Sequence, residues 1–187
     1  MEKPVLQVII ASTRPGRVGA PIAQWFYDRA VAHGSFEVEL VDLASFDLPV
    51  FDEPNHPALG QYEHEHTRRW SASTARADAF VFVMPEYNHG YNAALKNAID
   101  FLYAEWRYKA VGLVSYGGVA MGTRAVQAIK PVLTHIKLVH TADVTISLLA
   151  TPVVDGGFEG DAIQNQAADA MLAELAKISP ALHQLRS

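Results

Sequence analysis

The stretch from Ala79 to Leu102 constrains the fold more than any other part of the chain. It opens with an uninterrupted apolar run, Ala79-Phe80-Val81-Phe82-Val83-Met84, and stops at Pro85. It then passes through Glu86-Tyr87-Asn88-His89-Gly90 and carries Leu95, Ala98, Ile99 and Leu102 at helical spacing. A short run of aromatic and β-branched residues without a polar member is a strand covered on both faces. Pro85 has no N–H to give a ladder and is read as the end of that strand. Gly90 suits the turn, and Asn92 is read as the N-cap of the helix that follows. Strand, short polar loop and helix form the unit from which parallel α/β sheets are built, and ligands bind at the carboxyl ends of their strands.

The rest of the chain repeats that unit. Val5 to Ala11 is a second buried run. The polar turn Ser12-Thr13-Arg14-Pro15-Gly16-Arg17 separates it from a helix expected from Val18 or Gly19 to His33. Pro21 falls in the first turn of that helix, where proline is tolerated, and Gly34 is a fitting stop. Phe36 to Leu43 alternates as a strand, and Thr67 to Arg76 reads as a helix. Lys109 to Ser115 is a further strand, followed by Tyr116-Gly117-Gly118 and a helix from about Gly122 to Thr134. Pro131 is expected to kink or shorten that helix. Val139 to Leu149 holds the fifth strand, and Asp161 with Gln164 resembles a capping box opening the last helix. Between Ala44 and Glu65 the chain is irregular, and a connection of that length is usually functional or partly disordered. Its Leu48-Pro49-Val50-Phe51 group argues that it packs on something.

Five strands alternating with five helices imply a parallel sheet with helices on both faces, a three-layer α/β sandwich in one domain over 1–187. Strand order is not written in the sequence. The expectation is the flavodoxin-like order 2-1-3-4-5, whose switch point between strands 1 and 3 is where FMN binds in that fold. The two most polar strand-to-helix loops follow those same strands.

The formal net charge of −5 gives no reason to expect general binding to nucleic acid or to anionic membranes, so any anion site must be local. The chain has no cysteine, which removes disulfides, iron–sulfur clusters and thiolate chemistry together. No signal peptide is read at Met1-Glu2-Lys3-Pro4, and no apolar run approaches the roughly 18 residues of a membrane span. A cytoplasmic protein is the expectation. The local anion site falls in the first loop. Ser12 and Thr13 offer hydroxyls, Gly16 lets the backbone approach closely, and Arg14 and Arg17 bring charge to the uncapped N–H groups of the next helix. The alternative is a polar loop whose arginines pair with surface carboxylates. Neither the P-loop pattern nor Gly-x-Gly-x-x-Gly after the first strand is present.

Taken together, Ser12-Thr13-Arg14-Pro15-Gly16-Arg17, Pro85-Glu86-Tyr87-Asn88-His89-Gly90, Leu95-Lys96-Asn97-Ala98-Ile99-Asp100, Ser115-Tyr116-Gly117-Gly118 and Gly122-Thr123-Arg124-Ala125 resemble the NADPH-dependent FMN reductase family, in order and spacing, over roughly Val5 to Leu149. The resemblance implies noncovalent FMN, reduction by NADPH or NADH, and delivery of two electrons to quinones, azo compounds, free flavins or metal oxyanions. It implies that Ser12, Arg14, Arg17 and the N–H groups near Val18 and Gly19 hold the FMN phosphate. Pro85, Glu86, Tyr87 and Asn88 would line the flavin edge, and Ser115, Tyr116, Gly117 and Gly118 would support the ring and ribityl chain. It also implies a homodimer or homotetramer. Positions 17 and 19 depart from the family habit of a small hydroxyl residue and Asn, and Met121 stands where a second glycine is common. An alternative from another class is an FMN-binding electron-transfer module without nicotinamide oxidation of its own.

No catalytic side chain is obligatory, because the flavin carries the chemistry and the protein places and tunes it. Tyr87 and His89 are read as possible tuning residues. Glu86 reads as a general acid or base, or as a partner for a helix dipole, and the chemistry does not need the proton role. His64 and His66, with Glu63 and Glu65, read as a solvated helix start rather than a metal site. Tyr91, Tyr103, Trp106 and Tyr108 read as core or as a subunit interface, with the interface favoured.

Overall fold

The computed structural model describes residues 3–186. The long strands are β1 (Val5–Ile10), β2 (Glu37–Asp42), β3 (Ala79–Tyr87), β5 (Ala110–Gly117) and β6 (Val139–Ser147), with a short β4 (Gly90–Tyr91). The helices are α1 (Gly19–His33), α2 (Glu65–Arg76), α3 (Ala93–Asp100), α4 (Thr123–His135) and α5 (Ala162–His183). The long strands lie parallel in the order β2-β1-β3-β5-β6, which is the expected 2-1-3-4-5 once β4 is set aside. No helix among the described residues is long and apolar enough to cross a membrane.

Pro85 does not end its strand. β3 continues to Tyr87 and turns back through Asn88 and His89 into β4, with Tyr87 opposite Gly90 and Glu86 opposite Tyr91. Val83 O accepts from Ala11 N on the β1 side, so alternation along the strand turns Pro85 to the same side. There β1 has already ended, its last pair with β3 being Ile10 with Val83, and the missing N–H has no ladder to serve. Asn88 and His89 both have positive φ, 48° and 68°, as a two-residue type I′ hairpin requires. Pro131 lies inside α4, which nevertheless runs on to His135.

The sheet divides the core in two. On one face Trp70, Phe80, Phe82, Phe101 and Trp106 pack beneath α2, α3 and α4, with Trp106 edge-on to Phe80 at 5.1 Å. Trp106 is fully buried and donates to Ile99 O at 3.1 Å, so it is core and not the interface residue favoured from the sequence. On the other face Phe26, Val81, Val83, Tyr116, Met171 and Leu172 pack beneath α1 and α5. The long connection after β2 is anchored. Leu48 packs on the core, Phe51 meets Phe101 edge-on at 5.1 Å, and Asn97 bonds both Phe51 N and Pro49 O. Val50, from the same group, is exposed. His64 and His66 stack at 5.2 Å and turn their Nε2 atoms to Asp52, at its carbonyl and its carboxylate respectively.

Candidate functional site

The carboxyl ends of β1, β3 and β5 bring three loops to one cleft of about 200 Å³, lined by Arg14, Val18, Pro85, Glu86, Tyr87, Tyr116, Gly117, Gly118 and Leu148. Ser12 and Gly19 stand behind it, buried. Ser12 Oγ lies 3.2 Å from Tyr87 Oη, which ties the β1 loop to the β3 hairpin. Asn88 and His89 are at the exposed tip of that hairpin. Ser115 is fully buried, and its Oγ packs against Gly122, where an added Cβ would sit 2.4 Å away. It therefore shapes the turn from below rather than lining the cleft.

Helix α1 begins without a side-chain cap and without an acidic residue in its first turn, leaving its first N–H groups directed at the loop. Arg14 has no ion-pair partner among the described residues, whereas Arg17 spends its guanidinium on Asp42 at the end of β2. The two arginines of the loop are thus not equivalent: one charge is free at the helix start and the other is neutralised. Glu86 lines the cleft but commits its carboxylate to α4. Its carboxylate accepts from Arg124 N at 3.0 Å in the first turn of α4 and faces the Arg124 guanidinium at 3.5 Å, a favourable place for an anion.

Tyr116 was legible only as part of a motif, and the structure gives it a definite place. Its ring is buried beneath the start of α1, and its hydroxyl makes no hydrogen bond of good geometry although Ser12 lies against it. Burial, with the neighbouring Tyr87, pushes its phenol above the usual tyrosine range. A Cβ on Gly19 would lie 2.5 Å from that hydroxyl, which is the physical reason for glycine at this position. Two contributors escaped the sequence reading. Leu148 enters the cleft because its N–H bonds Gly117 O at 2.9 Å, a long-range contact with no local signal. Asn92 occupies the N-cap position of α3 but makes no cap; its side chain, 3% exposed, donates to Ala11 O at 2.7 Å and ties α3 to the start of the loop between β1 and α1. Met121 takes a left-handed φ of 57°, the conformation glycine would supply at no cost.

An uncapped helix start, an unpaired arginine, a buried hydroxyl without a partner and a glycine pair beside an apolar slot suit a phosphorylated flat ring system. The fold and this edge define a flavodoxin-like protein of the FMN-binding type. Comparison with known proteins narrows the class. The family model for NADPH-dependent FMN reductase matches residues 5–158. An NAD(P)H-dependent FMN reductase of Schizosaccharomyces pombe is 43% identical over 137 residues, 72% of this chain and 68% of that protein. Another, of Saccharomyces cerevisiae, is 36% identical over 143 residues, 70% of this chain and 74% of that one. In fold, the chain superposes on the flavoenzyme NAD(P)H:(acceptor) oxidoreductase FerB of Paracoccus denitrificans with a TM-score of 0.73 at 21% identity, over 94% of this chain and 98% of that one. The chain belongs to the NADPH-dependent FMN reductase family and is an FMN-dependent NAD(P)H oxidoreductase.

Proposed function

We propose that the 187 residues act as one FMN-binding unit in which Ser12, Arg14 and the N–H groups at Val18 and Gly19 hold the FMN phosphate. Arg17, committed to Asp42, contributes backbone and loop shape rather than a direct charge. The observation that carries this reading is the partnerless Arg14 beside an uncapped α1, which together ask for a dianionic group. Pro85 to Asn88 line the ring edge, with the backbone N–H groups after Pro85 as its donors, and Gly117 and Gly118 admit the ring because no Cβ intrudes. When bound, FMN supplies two-electron chemistry with NADPH or NADH as donor. Glu86 holds the hairpin against α4 and keeps the β3 and β5 loops at a constant spacing. Tyr87, exposed by 41% and fixed through Ser12, covers the cleft mouth, and His89 stands near enough along the hairpin to present a polar group to solvent there.

The acceptors we assign are small molecules: quinones, free flavins, azo compounds and metal oxyanions. Val119, Met121 and Leu149, all exposed on the adjoining β5 and β6 loops, support a preference for those with apolar rings. The active form is read as a homodimer or homotetramer in the cytoplasm. The test is the visible spectrum of purified protein after incubation with FMN and desalting, followed by anaerobic addition of NADPH and then NADH. Retained flavin bands that bleach are expected. Bands that persist with both nucleotides would assign an electron-transfer module instead, and loss of flavin on desalting would refute the phosphate-loop reading.

A further inference from the structure

A recess of about 600 Å³ lies at the opposite edge of the sheet, lined among others by Ser71, Glu105, Arg107, Tyr108, Lys109 and Arg186. Lys109 immediately precedes β5, so the length of that strand separates it from Gly117 by about 25 Å. Its side chain does not reach out to solvent as lysines usually do. The residue is 5% exposed, and its Nζ donates to Thr74 O at 2.9 Å and Ala75 O at 3.3 Å, carbonyls in the last turn of α2, with the Phe80 ring centroid 5.4 Å away. The two carbonyls take two of its N–H bonds, as many as a neutral amine has, and beyond them the Nζ faces only the Phe80 ring. Burial, and then the Arg186 charge, push Lys109 down to about 8 against the opposing influence of Asp78 and Glu105.

The surroundings attract anions. Arg107 has no carboxylate partner among the described residues and lies over the rings of Tyr103 and Tyr108, each at 5.6 Å. Lys137 donates to Tyr108 Oη at 3.1 Å. The two carboxylates nearby are already engaged. Glu105 accepts from Tyr62 Oη at 2.9 Å and Ser71 Oγ at 2.6 Å, and Asp78 accepts from Val5 N at 2.9 Å and Arg186 at 2.8 Å. A buried amine and a guanidinium stacked on two tyrosine rings but without a carboxylate partner among the described residues therefore line one recess, far from the flavin cleft.

We propose that this recess is a second site, in which the Lys109 amine condenses with small aldehydes that carry a phosphate held by Arg107. The amine nitrogen attacks the carbonyl carbon, a C=N bond replaces C=O, and the two amine hydrogens leave with the carbonyl oxygen as water. No electron is gained or lost. The imine nitrogen, on taking up one proton from solvent, regains a single N–H for Thr74 O, the nearer of the two carbonyls.

The probe is pyridoxal 5′-phosphate with the FMN-loaded full chain, trapped with cyanoborohydride and mapped by peptide mass spectrometry, with pyridoxal as the phosphate-free control. At pH 7.4 a lysine titrating near 8 holds roughly a hundredfold more neutral amine than an ordinary one, so Lys109 should carry at least about tenfold more label than Lys96, Lys130, Lys137 or Lys177 after allowing for its lower basicity. Pyridoxal should label it about tenfold less, and Arg107→Gln should lower pyridoxal-phosphate labelling by a similar factor while the protein retains FMN. Lys109→Gln should abolish the site. Label distributed according to exposure, or equal labelling of Lys109 by both probes, would overturn the proposal. Neither outcome depends on the assignment of the flavin cleft.

Discussion

Gly19→Ala places a Cβ 2.5 Å from Tyr116 Oη and 3.4 Å from Tyr116 Cζ. The first distance is roughly an ångström inside the optimum of about 3.5 Å, and the second is ordinary contact. The ring is closed in by the core, so either Tyr116 or the first turn of α1 must move, at a cost of about 1–3 kcal/mol. Alanine recovers part of that through its better helix propensity, by less than about 1 kcal/mol at a first helical position. The expected net loss of about 1–2 kcal/mol corresponds to a fall in Tm of about 3–6 °C for a chain of this length. Tyr116→Phe removes the one clashing atom. Because that hydroxyl is buried without a hydrogen bond, its removal by itself should be neutral or stabilising, by up to about 1 kcal/mol. The double variant should therefore recover the alanine penalty, with an interaction energy of at least about 1 kcal/mol. Urea denaturation of the FMN-free protein and its two single and one double variants measures the cycle. Additivity to within about 0.5 kcal/mol would refute the account of why residue 19 is glycine.

Arg14→Ala should weaken FMN binding about 10- to 100-fold through the loss of one charge-assisted contact, leave riboflavin binding unchanged, and exceed the effect of Arg17→Ala; flavin fluorescence quenching reads all three. Asn92→Ala should cost about 1–3 kcal/mol by orphaning the Ala11 carbonyl, and should loosen the phosphate loop, seen as faster hydrogen exchange at Ser12 and Thr13 together with weaker FMN binding. Burial alone would raise the Asp78 carboxyl, but the Val5 N–H and Arg186 outweigh it and hold it below the usual carboxylate range. Its contribution to stability is thus complete above the unfolded value of about 4 and is lost as pH falls through the lower folded value. Asp78→Asn should cost about 1–2 kcal/mol at pH 7 in urea titrations, and the gap should close in strong acid.

The order of elements was legible because each strand and helix announces itself within a window of ten residues or so. The unbroken run at Ala79–Met84, the helical spacing of Leu95, Ala98 and Ile99, and the Asp161–Gln164 capping box are local patterns, and the chain realises them locally, although α3 ends at Asp100 and leaves Leu102 beyond it. The loop carrying Arg14 was legible for the same reason: a short polar turn between a buried strand and a helix can only lie at the sheet edge.

What the sequence could not reveal are choices between partners far apart in the chain. Arg17 prefers Asp42 to the loop, Asn92 prefers the Ala11 carbonyl to its own helix, and Trp106 fills the gap between Trp70 and Phe80 instead of facing outward. Pro85 is tolerated in β3 only because β1 stops short of it, a fact of register and not of composition. Periodicity and turn chemistry, which act over a few residues, determined the layers and the sheet edge at which the candidate site lies. Packing and charge pairing, which act across it, decided which arginine stays free, why residue 19 has no side chain, and that the Lys109 amine is enclosed at the far edge.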